Sequence, residues 1–287
     1  MDNDFAPLDV TVRGPGEPEI VVIGGVHGNE TGGVRAVRRL REAELDLQRG
    51  VAFVLANPAA IDAGERYLDS DLNRVFPGNP DGDREERIAA QLCKLIQDRT
   101  TLSLHGTNSH PRPFALIHRS QPREFDLAAR LPVSQVVDHW GVNEETITTC
   151  GLTVEIEVGA QGSDEAAASA EHQTRAFLKR VDALPGELPD ADPDFFHMRE
   201  PVPKPSDASY ELYVQNFERV PAGTVYANVD GQDLVADESF YPILMSECGY
   251  SDIFGYKGRK IAESLEGVHE WLNEDRVQET LGEIEGS

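Results

Sequence analysis

Along roughly the first two thirds of the chain, compact apolar runs alternate with stretches whose apolar positions recur every three or four residues. The runs 20–26, 51–56, 101–105, 114–118 and 152–158 are predicted strands. The stretches 31–43, 84–98, 123–130 and 164–182 are predicted helices. In the second of these, Ile88, Leu92, Leu95 and Ile96 form one stripe, and the charged opposite face is left to solvent. Strand-helix alternation of this kind is the pattern of an α/β domain. Around Leu184 the pattern breaks. Residues 184–206 are rich in proline and acids, show little periodicity and read as a connector. Beyond it, 210–214, 223–229 and 240–245 read as short strands, with Asp230-Gly231 as a hairpin turn. Residues 261–281 read as a closing helix with Ile261, Leu265, Val268 and Leu272 on one face. The expected division is an α/β domain over 1–195 and a smaller β domain with a terminal helix over 196–287.

Composition narrows the class. A hydrophobic content of 39% in 287 residues supports a real core. No apolar run approaches the roughly 18 residues of a membrane span. The acidic N-terminus carries no apolar targeting segment. Cys93, Cys150 and Cys248 are odd in number and far apart, which predicts reduced thiols in a cytoplasmic protein. The net charge of −25 disfavours nucleic acid and anionic membranes, and neither is expected as a partner. Five lysines stand against 21 arginines, and acids take the surface places lysine would fill. That balance resembles proteins of salt-loving organisms. Self-repulsion there is screened at a Debye length of about 3 Å near 1 M salt.

Candidate chemistry sits at strand ends. His27-Gly-Asn-Glu30 follows the first strong strand, and an imidazole and a carboxylate three apart can meet on one divalent cation. A solvated loop can carry the same pair, so a third donor matters. His105 closes the run Thr101–His105, and Gly106 lets the chain turn away. Glu65–Gly78 is dense in polar groups yet carries Tyr67, Leu68, Leu72, Val75 and Phe76. Its Arg66, Asn73 and Arg74 could hold a carboxylate by paired hydrogen bonds. Alternatively, the two arginines could pair internally with Asp69 and Asp71. Glu155 and Glu157 share one face of a β-branched strand, where carboxylates are costly unless paired or functional. Periodicity does not choose between them. Position favours Glu157, nearer the C-terminal end and Gly159, as the reactive one, leaving Glu155 structural.

Taken together, Gly24–Glu30, Asn57-Pro58, Arg66–Phe76, Leu104-His105 and Ile156–Gly159 occur in an order and at spacings that resemble the aspartoacylase/succinylglutamate desuccinylase family, relatives of zinc carboxypeptidases. The resemblance implies a carboxypeptidase-like mixed sheet flanked by helices, with a smaller C-terminal β domain walling the site. It implies one Zn2+ per chain on His27, Glu30 and His105, and Glu157 as general base. It makes Arg66 the group that polarises the scissile carbonyl. By the same resemblance, Asn73 and Arg74 match the pair that holds the substrate's α-carboxylate, and Tyr250, in Glu247-Cys-Gly-Tyr250, is similar to a C-terminal-domain tyrosine that reaches the substrate. The implied reaction is hydrolysis of the amide bond of a small N-acyl amino acid, which leaves homo-oligomerisation open. A peptide-trimming zinc carboxypeptidase and a non-enzymatic metal-binding or ligand-binding module of the same fold are the competing readings.

Two departures bear on this. Ser103 stands where aspartoacylases carry an aspartate two residues before the third ligand. No arginine appears within Glu145–Cys150, where they carry one for a distal carboxylate. Arg112, Arg119 and Lys257 are the cations that another loop could offer in its place.

Overall fold

In the computed structural model, residues 8–119, 122–189, 191–204, 208–248 and 253–273 are described. The chain opens with β1 (Asp9–Arg13), β2 (Pro18–Gly24), α1 (Thr31–Glu42), β3 (Gly50–Leu55) and α2 (Pro58–Ala63). There follow α3 (Arg84–Ile96), β4 (Thr100–His105), β5 (Phe114–Ile117), α4 (Pro122–Ala128), β6 (Gln135–Asp138), β7 (Leu152–Glu157) and α5 (Asp164–Arg180). The last third holds β8 (Asp194–Pro203), β9 (Tyr210–Leu212), β10 (Val225–Val229), β11 (Gln232–Val235), β12 (Tyr241–Ile243) and β13 (Ile253–Ala262).

One ten-stranded mixed sheet organises the molecule, in the order β1-β3-β2-β4-β7-β5-β6-β8-β13-β12. Strands β3, β2, β4 and β7 run parallel, and β5 turns antiparallel against β7. Alternation along β2 shows why the sheet is covered on both sides. Ile20 and Val22 join a core with α1, α4 and α5, whereas Val21 and Ile23 pack toward Ile88, Leu92 and Ile96 of α3. Helix α3 starts where Asp83 and Glu86 form a reciprocal capping box. The Asp230-Gly231 turn joins β10 to β11 with both residues at positive φ, the twist a two-residue hairpin needs. Strands β11, β10 and β9 make a separate three-stranded sheet over its own apolar cluster.

Four features depart from the sequence reading. The supposed connector holds β8, which pairs with both β6 and β13 and buries Phe195, Phe196 and Met198. Its prolines lie just before the strand and in its last three positions, and its pairing with β13 is irregular, so their missing N–H groups spare the middle of the ladder. β13 carries Gly255 and Gly258 at close packing points, which breaks the apolar alternation that would announce a strand. Helix follows only at 265–273, with Val268 and Leu272 buried; residues 274–281 lie outside the described residues. Finally, Cys93 and Cys150 form a disulfide, against the expectation of reduced thiols, while Cys248 is free and exposed. They are 57 residues apart, and only the packing of α3 against the turn 147–150 brings them together. Among the described residues, no helix is long and apolar enough to cross a membrane.

Candidate metal centre

The parallel strands β2, β4 and β7 lie side by side, so their C-terminal ends deliver three segments to one point. After β2 the chain turns at Gly25, at φ 72°. Gly28 then packs against the Ala60 backbone with no room for a Cβ, and its N–H donates to the Arg66 carbonyl at 3.1 Å. The Glu30 N–H closes the turn onto the His27 carbonyl at 3.2 Å. His27 Nδ1 thereby lies 2.8 Å from Glu30 Oε1, and His105 Nδ1, from the end of β4, lies 3.3 Å from Glu30 Oε2. One donor atom from each of these buried residues falls within 4.8 Å of the others. The three sequence-predicted ligands are thus brought together.

Each imidazole meets a second carboxylate at its other nitrogen. His27 Nε2 is 3.0 Å from Asp71 Oδ1, and His105 Nε2 is 3.2 Å from Glu155 Oε1 and 2.9 Å from Ser103 Oγ. His110 and His118, polar neighbours in the sequence, take neither place: His118 pairs with Glu144, and His110 packs on Phe114 and Phe217. Burial opposes ionisation of Glu30, yet His27 and His105 hold its carboxyl well below the usual range. Burial also opposes charge on His105, but Glu155 and Glu30 raise it well above an ordinary histidine. This is the electrostatics of a site shaped for positive charge among carboxylates.

The loop that carries Arg66 is held from below by Glu85, buried in the first turn of α3. Glu85 accepts from the Asn57 side chain and the Leu68 N–H through Oε1, and from the Asp69 and Ser70 N–H groups through Oε2. Arg66 lies across the centre, Nη1 to Glu30 Oε1 at 3.3 Å and Nε to Asp71 Oδ2 at 3.0 Å. Asn73 is buried: its Nδ2 donates to Glu155 Oε1 at 2.8 Å and its Oδ1 accepts from the Ile147 N–H at 3.0 Å. Arg74 Nη1 donates to the Asn73 carbonyl at 2.7 Å.

The two acids of β7 differ sharply. Glu155 is spent on Asn73 and His105, and these partners keep its carboxyl below the normal range although burial opposes it. Glu157 is also buried, but its Oε2 has no hydrogen-bond partner. Burial and the nearby Glu30 charge push it up to about 8 in the metal-free protein. A buried carboxyl with a free oxygen beside three metal donors is poised to exchange a proton.

His27, Glu30, His105, Glu155 and Glu157 line one cleft with Arg66, Asn73 and Arg74, about 720 Å3 counting its open mouth. Arg66 and Arg74 bring the guanidinium charge to its lining among the described residues. Leu116, Met198 and Leu244 also line the cleft, as do Thr146, Asn143 and His139. Burial lowers the His139 pKa, which favours its neutral form. Arg119 instead stacks between Trp140 and Trp271, at 4.1 and 4.9 Å from their ring centres, and Lys257 pairs with Glu200 and Asp237. Neither they nor Arg112 line the cleft. Tyr250 lies outside the described residues. Sequence reading missed Glu85, since an acid in a helix's first turn normally signals only the helix dipole. It also missed the apolar part of the lining, which comes from β5, β8 and the bend just after β12.

A model of the succinylglutamate desuccinylase/aspartoacylase catalytic domain matches residues 16–184. The chain belongs to that family. Its succinylglutamate desuccinylase relative from Pseudomonas paraeruginosa is 36% identical over 126 residues, 38% of each chain. Much of that relative's length therefore lies outside the alignment. The N-alpha-acetyl-L-2,4-diaminobutyric acid deacetylase of Halomonas elongata is 29% identical over 78% of this chain and 73% of its own. The product-bound structure of the ectoine utilization protein EutE (DoeB) from Ruegeria pomeroyi superposes with a TM-score of 0.73 at 22% identity, covering 87% of this chain and 88% of that one. At that identity the likeness shows the family fold.

Proposed function

We propose that this family member is a zinc-dependent amidohydrolase that removes the acyl group from a small N-acyl amino acid. The observation that carries the reading is the buried His27–Glu30–His105 cluster with the unpartnered Glu157 oxygen beside it, inside a cleft edged by two arginines. Two imidazoles and one carboxylate are a fitting zinc set that keeps a coordination place open. Carboxylates on the outer nitrogens of both rings fix the tautomers such ligation needs. Zinc in that place supplies a Lewis acid and lowers the pKa of its water to about 7.

The chain's own groups do the rest. Glu157 takes a proton from the attacking water and passes it to the leaving amine, help worth roughly 10²–10⁴-fold. Arg66 donates to the carbonyl oxygen as it gains charge. Arg74 and the second amide hydrogen of Asn73 grip the α-carboxylate; the first is held by Glu155 and the amide plane by Ile147. Tyr250 is assigned contact with the substrate from its sequence context alone; Leu244, Ser246 and Cys248, shortly before it in the chain, line the cleft. With no third guanidinium or ammonium in the described lining, and none in the sequence 249–252 that follows Cys248, the far end of the substrate is read as uncharged. The relatives' names span a desuccinylase and a deacetylase, which fits a conserved centre with an exchangeable distal wall.

The test is a screen of N-acyl amino acids for amine release, with and without zinc, followed by one cycle on the preferred substrate. Methylating its carboxylate and changing Arg74→Ala should each cost about 2–4 kcal/mol in kcat/KM, without adding. Additive losses would place the carboxylate elsewhere, and preference for a dicarboxylic substrate would overturn the uncharged distal end.

A further inference from the structure

We infer that Glu155 is a positioning residue for the metal ligand His105, supplied across the sheet rather than from His105's own strand. The inference rests on the reading of His105 as a ligand. The parallel pairing of β4 with β7 sets Ser103 beside Glu155 and His105 beside Glu157. Side chains on one strand face repeat every two residues, so these four share a face. His105 presents Nδ1 to Glu30 and therefore turns Nε2 the other way, where Glu155 Oε1 stands at 3.2 Å and Ser103 Oγ at 2.9 Å. His105 cannot swing about its ring without losing one of these contacts.

The same Glu155 oxygen accepts from Asn73 Nδ2 at 2.8 Å, and Asn73 is fixed in turn by the Ile147 N–H. The carboxylate is thus immobilised by a second partner besides the ring. It is a built support, not a stray acid in a strand. His27 has the matching arrangement, with Glu30 at Nδ1 and Asp71 at Nε2. A carboxylate on the outer nitrogen holds the N–H tautomer there and leaves the inner nitrogen's lone pair for the cation. Ser103 already touches the same nitrogen, so an aspartate at 103 would bring a carboxylate to it from His105's own strand.

The experiment measures zinc affinity by competition with a chromophoric chelator, independent of turnover. Glu155→Gln keeps an acceptor for both partners and removes the charge; Glu155→Ala removes the acceptor. Losses of about 10-fold and up to about 100-fold are expected, the range seen for such supports. Adding Ser103→Asp to Glu155→Gln should recover most of the loss, which a merely structural Glu155 would not allow. Wild-type affinity in Glu155→Gln and in any folded Glu155→Ala, or no recovery in Ser103→Asp/Glu155→Gln, overturns the inference. Failure of the unmodified protein to bind zinc would instead overturn the reading of the centre itself.

Discussion

Replacing Glu157 with glutamine should move two observables in opposite directions. Glutamine copies the protonated carboxyl in shape but cannot accept the water's proton. The lost acid/base help predicts a fall in kcat of roughly 10²–10⁴-fold, or about 3–5 kcal/mol in the barrier. The stability effect follows from burial. A carboxyl raised from 4.5 to about 8 keeps its proton in the folded metal-free chain after the unfolded chain has released it. Stability from this group is therefore complete below about 4.5 and drains away as pH rises toward 8. At pH 7 the penalty is on the order of 3 kcal/mol, and the neutral amide removes it. Because Oε2 has no partner to lose, the substitution breaks no hydrogen bond there. The assay pairs steady-state turnover of the zinc-loaded enzyme with denaturant melts of metal-free wild type and variant from pH 5 to 8.5. Their stability difference should widen with pH. Retained turnover in Glu157→Gln, or a dead Glu155→Gln with a live Glu157→Gln, would refute the assignment; a pH-independent difference would refute the electrostatic argument.

Metal analysis of purified protein should find one zinc per chain, falling to near zero in His27→Ala; full retention there would sink the ligand set. Zinc affinity should rise with pH through the neutral range, with proton release detectable by calorimetry in two buffers, because His105 is held protonated in the metal-free site and must lose that proton to bind. A pH-independent affinity would contradict this. Melting temperature should climb steeply from about 0.1 to 3 M KCl as screening relieves the −25 charge. A flat response would remove the high-salt reading and leave the chemistry untouched.

The parallel part of the sheet was legible because β2 and β3 are apolar runs, β4 and β7 carry regularly spaced apolar positions, and the flanking helices are amphipathic. Those strand ends also carry His105 and Glu157, and His27 and Glu30 follow one of them directly, so chemistry and periodicity marked the same places. Glu155 and Glu157 were indistinguishable by pattern, since both point to one face; what separates them is Asn73, which reaches Glu155 from 82 residues away. β8 and β13 were hidden by prolines and glycines that local propensity assigns to loops. Cys93 and Cys150 look unrelated until α3 is docked. What stayed out of reach was set by partners distant in sequence.

Glu85 gives the loop after Arg66 an unusual freedom. A loop ordinarily keeps its course through its own side chains, so changing them redirects the backbone. Here three successive N–H groups, from Leu68 to Ser70, are tied to a carboxylate on the helix beneath. Tyr67 and Leu68 project outward, at 39% and 40% exposure, and carry none of that burden. Exchanges at such surface positions ordinarily cost within about 0.5 kcal/mol. The outer face of this loop can therefore change in size, charge and greasiness while the neighbouring Arg66 keeps its place. Neutral exchanges can accumulate there one at a time, and Glu85 is the residue that cannot join in.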